Sequence, residues 1–348
     1  MPCPPVFFVP AQAAPVQSNC PHTGYVLSFP PLPFNPVQAL LPSPRHRFAA
    51  PGKALMSISQ YPAKVTMPKL AQPYPTVLAF LVQRFPKIPE SVWERRVAEG
   101  KVLAEDGSPV SATTPYAAQR RVFYFREVEE ERVIPFQEEI LYQTDELLVA
   151  CKPHFLPVTP GGVYLDQSLL HRLRKRTGIH HLVPLHRIDR ETAGIVLFSV
   201  NPQTRGRYGE LFRDGSIEKS YRALSAGIAA AGGEEWQVEN RLVHGEPWFT
   251  MTTQPGPPNA RSQIRLIEER GGVSHFSLTP LTGKTHQLRV HMSGLGMPIM
   301  HDRLYPQLKP RHPDDFEKPL QLLAQRLRFK DPVSGKWMEF QSNRELLW

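Results

Sequence analysis

Apolar and polar positions divide the chain into segments of different character. Val77, Leu78, Phe80, Leu81 and Phe85 form one helical stripe that Pro86 ends. Val92, Trp93 and Val97 mark a second helix, with Glu94, Arg95, Arg96 and Glu99 on its polar side and Gly100 as its stop. Lys101-Val102-Leu103 reads as a short strand, Asp106-Gly107 as a tight turn, and Val122-Phe123-Tyr124-Phe125 as a closing strand. Glu127 to Arg132 reads as a charged connector, with Pro135 as a break. Leu147 to Ala150 is strand-like and ends at Lys152-Pro153. Leu169, Leu170 and Leu173 sit at helical spacing, on a helix that also carries His171, Arg172, Arg174, Lys175 and Arg176. From about 225 to 275 the Gly-Gly pairs at 232 and 271 and Pro-Gly-Pro-Pro at 255–258 predict loops between strands.

One polar stretch, His186 to Gly194, runs straight into Ile195, Val196, Leu197 and Phe198. Four apolar residues after a glycine suit a buried strand, and a loop held by such a strand is a good seat for a reactive carboxylate. Asp189 lies between Arg187 and Arg190, and neighbouring cations favour its ionised form. An ionised Asp can attack, hold a cation or accept a proton. It can equally cap a turn or pair with an arginine.

The stretch HRIDRETAG resembles the active-site motif HRLDxxTSG of the RluA family of RNA pseudouridine synthases, with Ile188 for Leu and Ala193 for Ser. Lys219-Ser220-Tyr221-Arg222-Ala223-Leu224 resembles the family's K-x-Y-x-A-L, and Thr282 to His291 resembles T-G-R-T-H-Q-I-R-V-H with Lys284 for Arg. Leu148 to Pro153 is similar to the strand and Lys-Pro turn that open the family's catalytic domain. Gly294 to Tyr305 resembles L-G-x-P-I-x-G-D-x-x-Y with His301 for Gly, and Leu322-Leu323-Ala324-Gln325 departs from a common L-H-A. The resemblance covers residues 136–348. It implies an α+β fold, a mainly antiparallel mixed sheet with flanking helices. Residues 71–135 resemble, loosely, the small α/β RNA-binding domain named after the fourth protein of the small ribosomal subunit; Arg95, Arg96 and Lys101 are its expected phosphate contacts.

The resemblance also implies chemistry. Asp189 is the expected catalytic carboxylate, Tyr221 the ring against the target base, and Arg289 the partner of Asp189; Leu288 packs beside the base. Arg187 is expected to fill the space that a flipped base leaves. His186 is expected at the substrate, and Arg172, Arg174 and Lys175 present a basic helix face suited to RNA phosphates. His186, His286 and His291 lack a Cys or carboxylate at ligand spacing, so they read as hydrogen-bonding scaffold, with no metal and no cofactor. The expected substrate is ribosomal RNA of the 23S type, with transfer RNA as the alternative. Two other readings compete: a non-catalytic RNA-binding assembly factor, and a hydrolase using Asp189. Against the second, no other motif supplies a second carboxylate.

Composition refines this picture. The net charge of the 348 residues is +9, but residues 1–89 hold seven Lys or Arg and no Asp or Glu, so the remainder carries only +2. RNA binding by the folded part must therefore rest on local patches. Thirteen of the 38 prolines fall in the first 51 positions. Residues 1–66 thus read as a disordered extension or as sequence ahead of a true start at Met56 or Met67, rather than a targeting peptide. Three cysteines, Cys3, Cys20 and Cys151, suggest no disulfide framework. No apolar run is long enough to span a membrane. A cytoplasmic monomer is expected.

Overall fold

The computed structural model describes residues 55–58, 62–227, 234–310 and 312–347. Strands β1 (Leu55–Ile58) and β2 (Ala63–Thr66) come first, then helices α1 (Val77–Arg84) and α2 (Glu90–Ala98). Strands β3 (Val102–Leu103), β4 (Arg121–Tyr124) and β5 (Glu127–Glu131) follow. Helix α1 begins where the Thr76 hydroxyl accepts the Ala79 N–H, which satisfies one orphan donor of the first turn. Its inward residues, Val77, Phe80 and Leu81, pack with Trp93 and Val97 of α2 against a three-stranded sheet of order β2-β4-β3.

Three expectations change in this region. The extension predicted over 1–66 ends earlier, because Ala63–Thr66 pairs with β4; residues 1–54 lie outside the described residues. The charged connector is instead strand β5, paired with β1. Its Glu131 is buried at 1 % exposure because the carboxylate accepts the N–H groups of Leu165, Asp166 and Gln167. A carboxylate with three backbone donors can leave water, which an acidic run in a sequence does not reveal. Finally, Arg96 and Lys101 both bond Glu127, and Arg96 lies over the Trp93 ring, so neither offers a free charge to RNA.

The rest of the chain builds one sheet. Its elements are β6 (Glu139–Gln143), β7 (Leu147–Lys152), α3 (Leu169–Thr177), β8 (Val183–Pro184), β9 (Ala193–Ser199), α4 (Arg205–Arg213) and β10 (Glu218–Ala226). Then come β11 (Glu235–His244), β12 (Met251–Gln254), β13 (Ala260–Arg270), β14 (Val273–Pro280), α5 (Gln287–Gly294), β15 (Leu322–Lys330) and β16 (Trp337–Gln341). The order is β12-β11-β13-β14-β10-β15-β9-β7-β6, with β16 on β15 and β8 on β9. Every pairing is antiparallel except β15 with β9. The α+β class is as the sequence resemblance implied.

The apolar run after Gly194 is β9, buried along its whole length. Gly194 itself has φ +115, and a Cβ there would meet the Ala324 carbonyl oxygen at 2.2 Å. Only glycine lets β15 approach this closely. The parallel contact consists of Leu323 beside Ala193 and Ala324 beside Gly194. It joins the half of the sheet that carries the Asp189 loop to the half that carries Tyr221 and Arg289.

The stretch from 225 to 275, read as loops between strands that the sequence did not delimit, contains two of the longest strands. Ala260, Ser262, Ile264 and Leu266 point inward while their neighbours face out, a period-2 pattern present in the sequence but overshadowed by its glycines and prolines. Gly271-Gly272, both at positive φ, is the two-residue turn between β13 and β14.

Candidate active site

A cleft of about 600 Å³ lies between the loop before β9, the start of β10 and the turn leading into α5. Asp189, Tyr221, Leu288 and Arg289 all line it. Strand β10 presents Lys219 and Tyr221 on one face, because side chains two apart in a strand share a side. Helix α5 begins at a left-handed His286, φ +53, and so turns Leu288 and Arg289 toward the Asp189 loop.

Arg289 organises the charges. Its side chain is 2 % exposed and carries two bonds of 2.7 Å to the carboxylate of Asp302. The remaining terminal nitrogen reaches Asp189 Oδ2 at 3.1 Å, and the Nη shared with Asp302 reaches Glu191 Oε2 at 3.3 Å. Burial works against this guanidinium's charge, and the three carboxylates overcome it, raising its pKa further. Burial would likewise raise the Asp189 pKa. The Arg289 charge, with smaller contributions from His286 and Lys152, reverses that and holds it below the usual carboxylate value. The flanking arginines play no such part, contrary to the sequence reading. Arg190 turns to Asp314, with two bonds of 2.9 Å, and Arg187 projects into solvent.

Lys152, from the Lys-Pro turn, is fully buried; its ammonium donates to the carbonyls of Pro153, Leu156 and Arg190 at 2.7–2.9 Å. Burial pushes its pKa down, but three acceptors match the three donors of an ammonium and favour the charged form. The bond to the Arg190 carbonyl fastens the Asp189 loop to the end of β7.

A family model for RNA pseudouridylate synthase matches residues 146–294. A dual-specificity RNA pseudouridine synthase RluA of Pasteurella multocida is 31% identical over 211 residues, which cover 59% of this chain and 92% of the relative. The chain belongs to the RluA family of RNA pseudouridine synthases. These enzymes are isomerases. A ribosomal large subunit pseudouridine synthase D of Salmonella typhimurium is 27% identical, with 75% of this chain and 85% of the relative covered. Among solved structures, human RNA pseudouridylate synthase domain containing 1 superposes with a TM-score of 0.50 at 24% identity, covering 60% of this chain and 84% of that one, which shows the shared fold.

In this family member the other predicted residues divide into two groups. His186 and Arg187 line the cleft. His186 Nε2 accepts the Leu197 N–H at 3.1 Å, its ring stacks on Phe212, and burial lowers its pKa to about 3, so it is a neutral scaffold group. Arg172 and Arg174 belong elsewhere, and their assignment as substrate contacts is corrected. The Arg172 guanidinium is held by Glu138, Gln167 and the carbonyls of Ile134 and Phe136. Arg174 donates to the Leu182 carbonyl. Both clamp α3 to its surroundings; charge counting in a sequence cannot tell a clamped guanidinium from a free one. Lys175 is exposed, but it does not line the cleft. His291 bonds Asn240, away from His186.

Several site residues carry no role in the sequence reading. Glu191 and Asp302 bring two more carboxylates onto Arg289, yet neither lines the cleft. Lys219 does line it, with the Thr282 carbonyl as its acceptor at 3.4 Å and a pKa lowered by burial. Both Lys219 and Asp302 stand inside motif-like stretches, which was the available signal. His301 sits at φ +61 where the family has Gly, so the family's glycine serves backbone conformation rather than chemistry.

Proposed function

We propose that this chain isomerises uridine to pseudouridine in RNA, with ribosomal RNA favoured over transfer RNA. The observation that carries the reading is Asp189, ionised by Arg289 in a cleft that also presents Tyr221 and Leu288. The reaction breaks the bond from uracil N1 to ribose C1′, turns the base, joins C5 to C1′, and moves the C5 proton to solvent or N1. It consumes no oxidant and no external energy, so one carboxylate suffices for the covalent or proton-transfer work.

Tyr221 offers its ring to the base, with a hydroxyl that burial, then the Asp189 charge, keep protonated. Such stacking is worth about 1–3 kcal/mol per base. Leu288 packs beside it. Arg187, exposed at the cleft mouth, fills the space left by the extruded base, and Arg213, Lys219 and Lys284 from the same lining hold flanking phosphates. Residues 136–348 act as the catalytic domain. The small sheet, residues 71–135 together with β2, adds RNA affinity through residues other than Arg96 and Lys101. Relatives named for the ribosomal large subunit support the ribosomal substrate. Among the described residues no helix is long and apolar enough to cross a membrane, and the reading is of a cytoplasmic monomer.

The test uses the full chain on transcribed large-subunit ribosomal RNA and on transfer RNA, with pseudouridine mapped by carbodiimide modification and primer extension. A modified uridine formed by the wild type and absent with Asp189→Asn is expected. RNA binding without product points to the assembly-factor reading, and released uracil to hydrolysis.

A further inference from the structure

Asp302 and Tyr305 follow α5 and act on one carboxylate from two sides. Asp302 Oδ1 accepts the backbone N–H groups of Leu304 at 2.8 Å and Tyr305 at 3.2 Å as well as Arg289. The turn that carries Tyr305 is therefore built on the anion that anchors Arg289. Tyr305 is 8 % exposed, and its hydroxyl has two partners. The Met251 N–H meets Oη at 2.7 Å, and Oη lies 2.8 Å from His286 Nδ1.

A phenol has one proton to donate, and a backbone N–H can only donate. Oη therefore accepts from Met251, and its own proton, which would otherwise be buried without an acceptor, goes to Nδ1, the one acceptor among the partners of this hydroxyl in the described residues. Nδ1 is then an acceptor, which places the imidazole proton on Nε2. That nitrogen faces Asp189 Oδ1 at 3.9 Å while Arg289 holds Oδ2. The His286 backbone adopts a left-handed conformation, φ +53, and its ring stands between Tyr305 and Asp189; a residue with a Cβ rarely takes this conformation. Burial lowers the His286 pKa; Asp189, Asp302 and Glu191 oppose that, Arg289 adds to it, and the net shift favours the neutral ring.

We propose that Tyr305 sets His286 in the Nε2–H tautomer, so that His286 is a positioning residue presenting a second donor to Asp189 and aiming Oδ1 at the target nucleotide. The role in turnover rests on the isomerase reading above. The present separation exceeds a hydrogen bond by about 1 Å, so donation to Oδ1 requires the two groups to close by that distance when substrate is bound. A neutral donor orients the carboxylate without cancelling its charge.

The proton is located by nitrogen-15 NMR of the full chain labelled at histidine, with the His286 signals assigned from their loss in His286→Gln. The expected wild-type spectrum has the proton on Nε2 at about pH 8, well above the ordinary imidazole value. Tyr305→Phe should distribute it over both nitrogens and lower kcat about tenfold, the scale of losing a group that orients a reactive one, with KM little changed. A wild-type proton on Nδ1 overturns the proposal. So does a Tyr305→Phe variant that keeps both the Nε2–H form and the wild-type kcat. If Tyr305→Phe does not fold, His286→Gln, which retains an N–H donor, is compared with His286→Leu. A smaller kcat loss for Gln is expected, and equal losses overturn the role. A wild type that makes no pseudouridine on any RNA overturns the isomerase reading instead, while the spectrum still decides where the proton sits.

Discussion

Gly194→Ala should damage stability and catalysis together. The new methyl would stand 2.2 Å from the Ala324 carbonyl oxygen and 2.7 Å from its carbonyl carbon and nitrogen, all backbone atoms that cannot rotate away. An ordinary carbon–oxygen contact is about 3.3 Å or more, so the strands must part by about 1 Å. Holding alanine at φ +115 costs about 1–3 kcal/mol. Forcing the contact costs about 1–3 kcal/mol more. Together these remove about 2–6 kcal/mol, a large part of a domain's stability, and lower Tm by about 10 °C. The strands that part are the two that join the Asp189 loop to the half of the sheet that carries Tyr221 on β10 and packs against α5 with Arg289. A displacement of about 1 Å between reacting groups can cost about a hundredfold in rate. The assay is thermal unfolding by circular dichroism, with single-turnover pseudouridine formation at a temperature where both proteins are folded. Gly178→Ala is the control: it has φ +73 at the end of α3 but nothing within 4 Å of its Cβ, so its cost is conformational, about 1 kcal/mol. A Gly194→Ala protein no less stable than this control, with wild-type rate, would refute the argument.

Lys152→Met leaves three buried carbonyls without their donor and removes a buried charge; the balance should be a loss of about 3 kcal/mol in urea unfolding, and a loss under about 1 kcal/mol would show that the ammonium does not hold the loop. The Asp189 pKa is depressed, so its pairing with Arg289 contributes stability above the unfolded carboxylate value of about 3.9 and loses it as pH falls through the folded value. Turnover should accordingly show no Asp189 limb between pH 5 and 7, and an acidic limb there that Arg289→Lys shifts upward would contradict the assignment of charge. Arg172→Met should lower stability by about 2–3 kcal/mol while leaving the salt dependence of RNA binding unchanged. Lys175→Ala should change neither stability nor the salt dependence if α3 stands clear of the RNA; a salt slope reduced by about 0.9 would put it on the phosphates.

Local pattern was enough for the parts of this protein whose signal is contiguous. The α1 and α2 stripes, the buried run of β9 and the motif around Asp189 were legible because neighbouring residues carry them. The same holds for Tyr221, Leu288 and Arg289, each recognised inside its own short stretch. What sequence could not assign is which charges are spent inside the molecule. Arg172, Arg174, Arg96, Lys101 and Glu131 look like surface residues in a linear reading, and each is bonded to groups that only folding brings near. The cation beside Asp189 is Arg289 of α5, which the motif resemblance named, and not the adjacent arginines that local charge favoured. Sequence proximity sets what a residue is, while a buried charge's partners are set by desolvation, which demands a partner wherever the fold supplies one. Gly194 shows both sides: the chain announced a glycine in the motif, and only the crossing of β15 explains why no other residue fits.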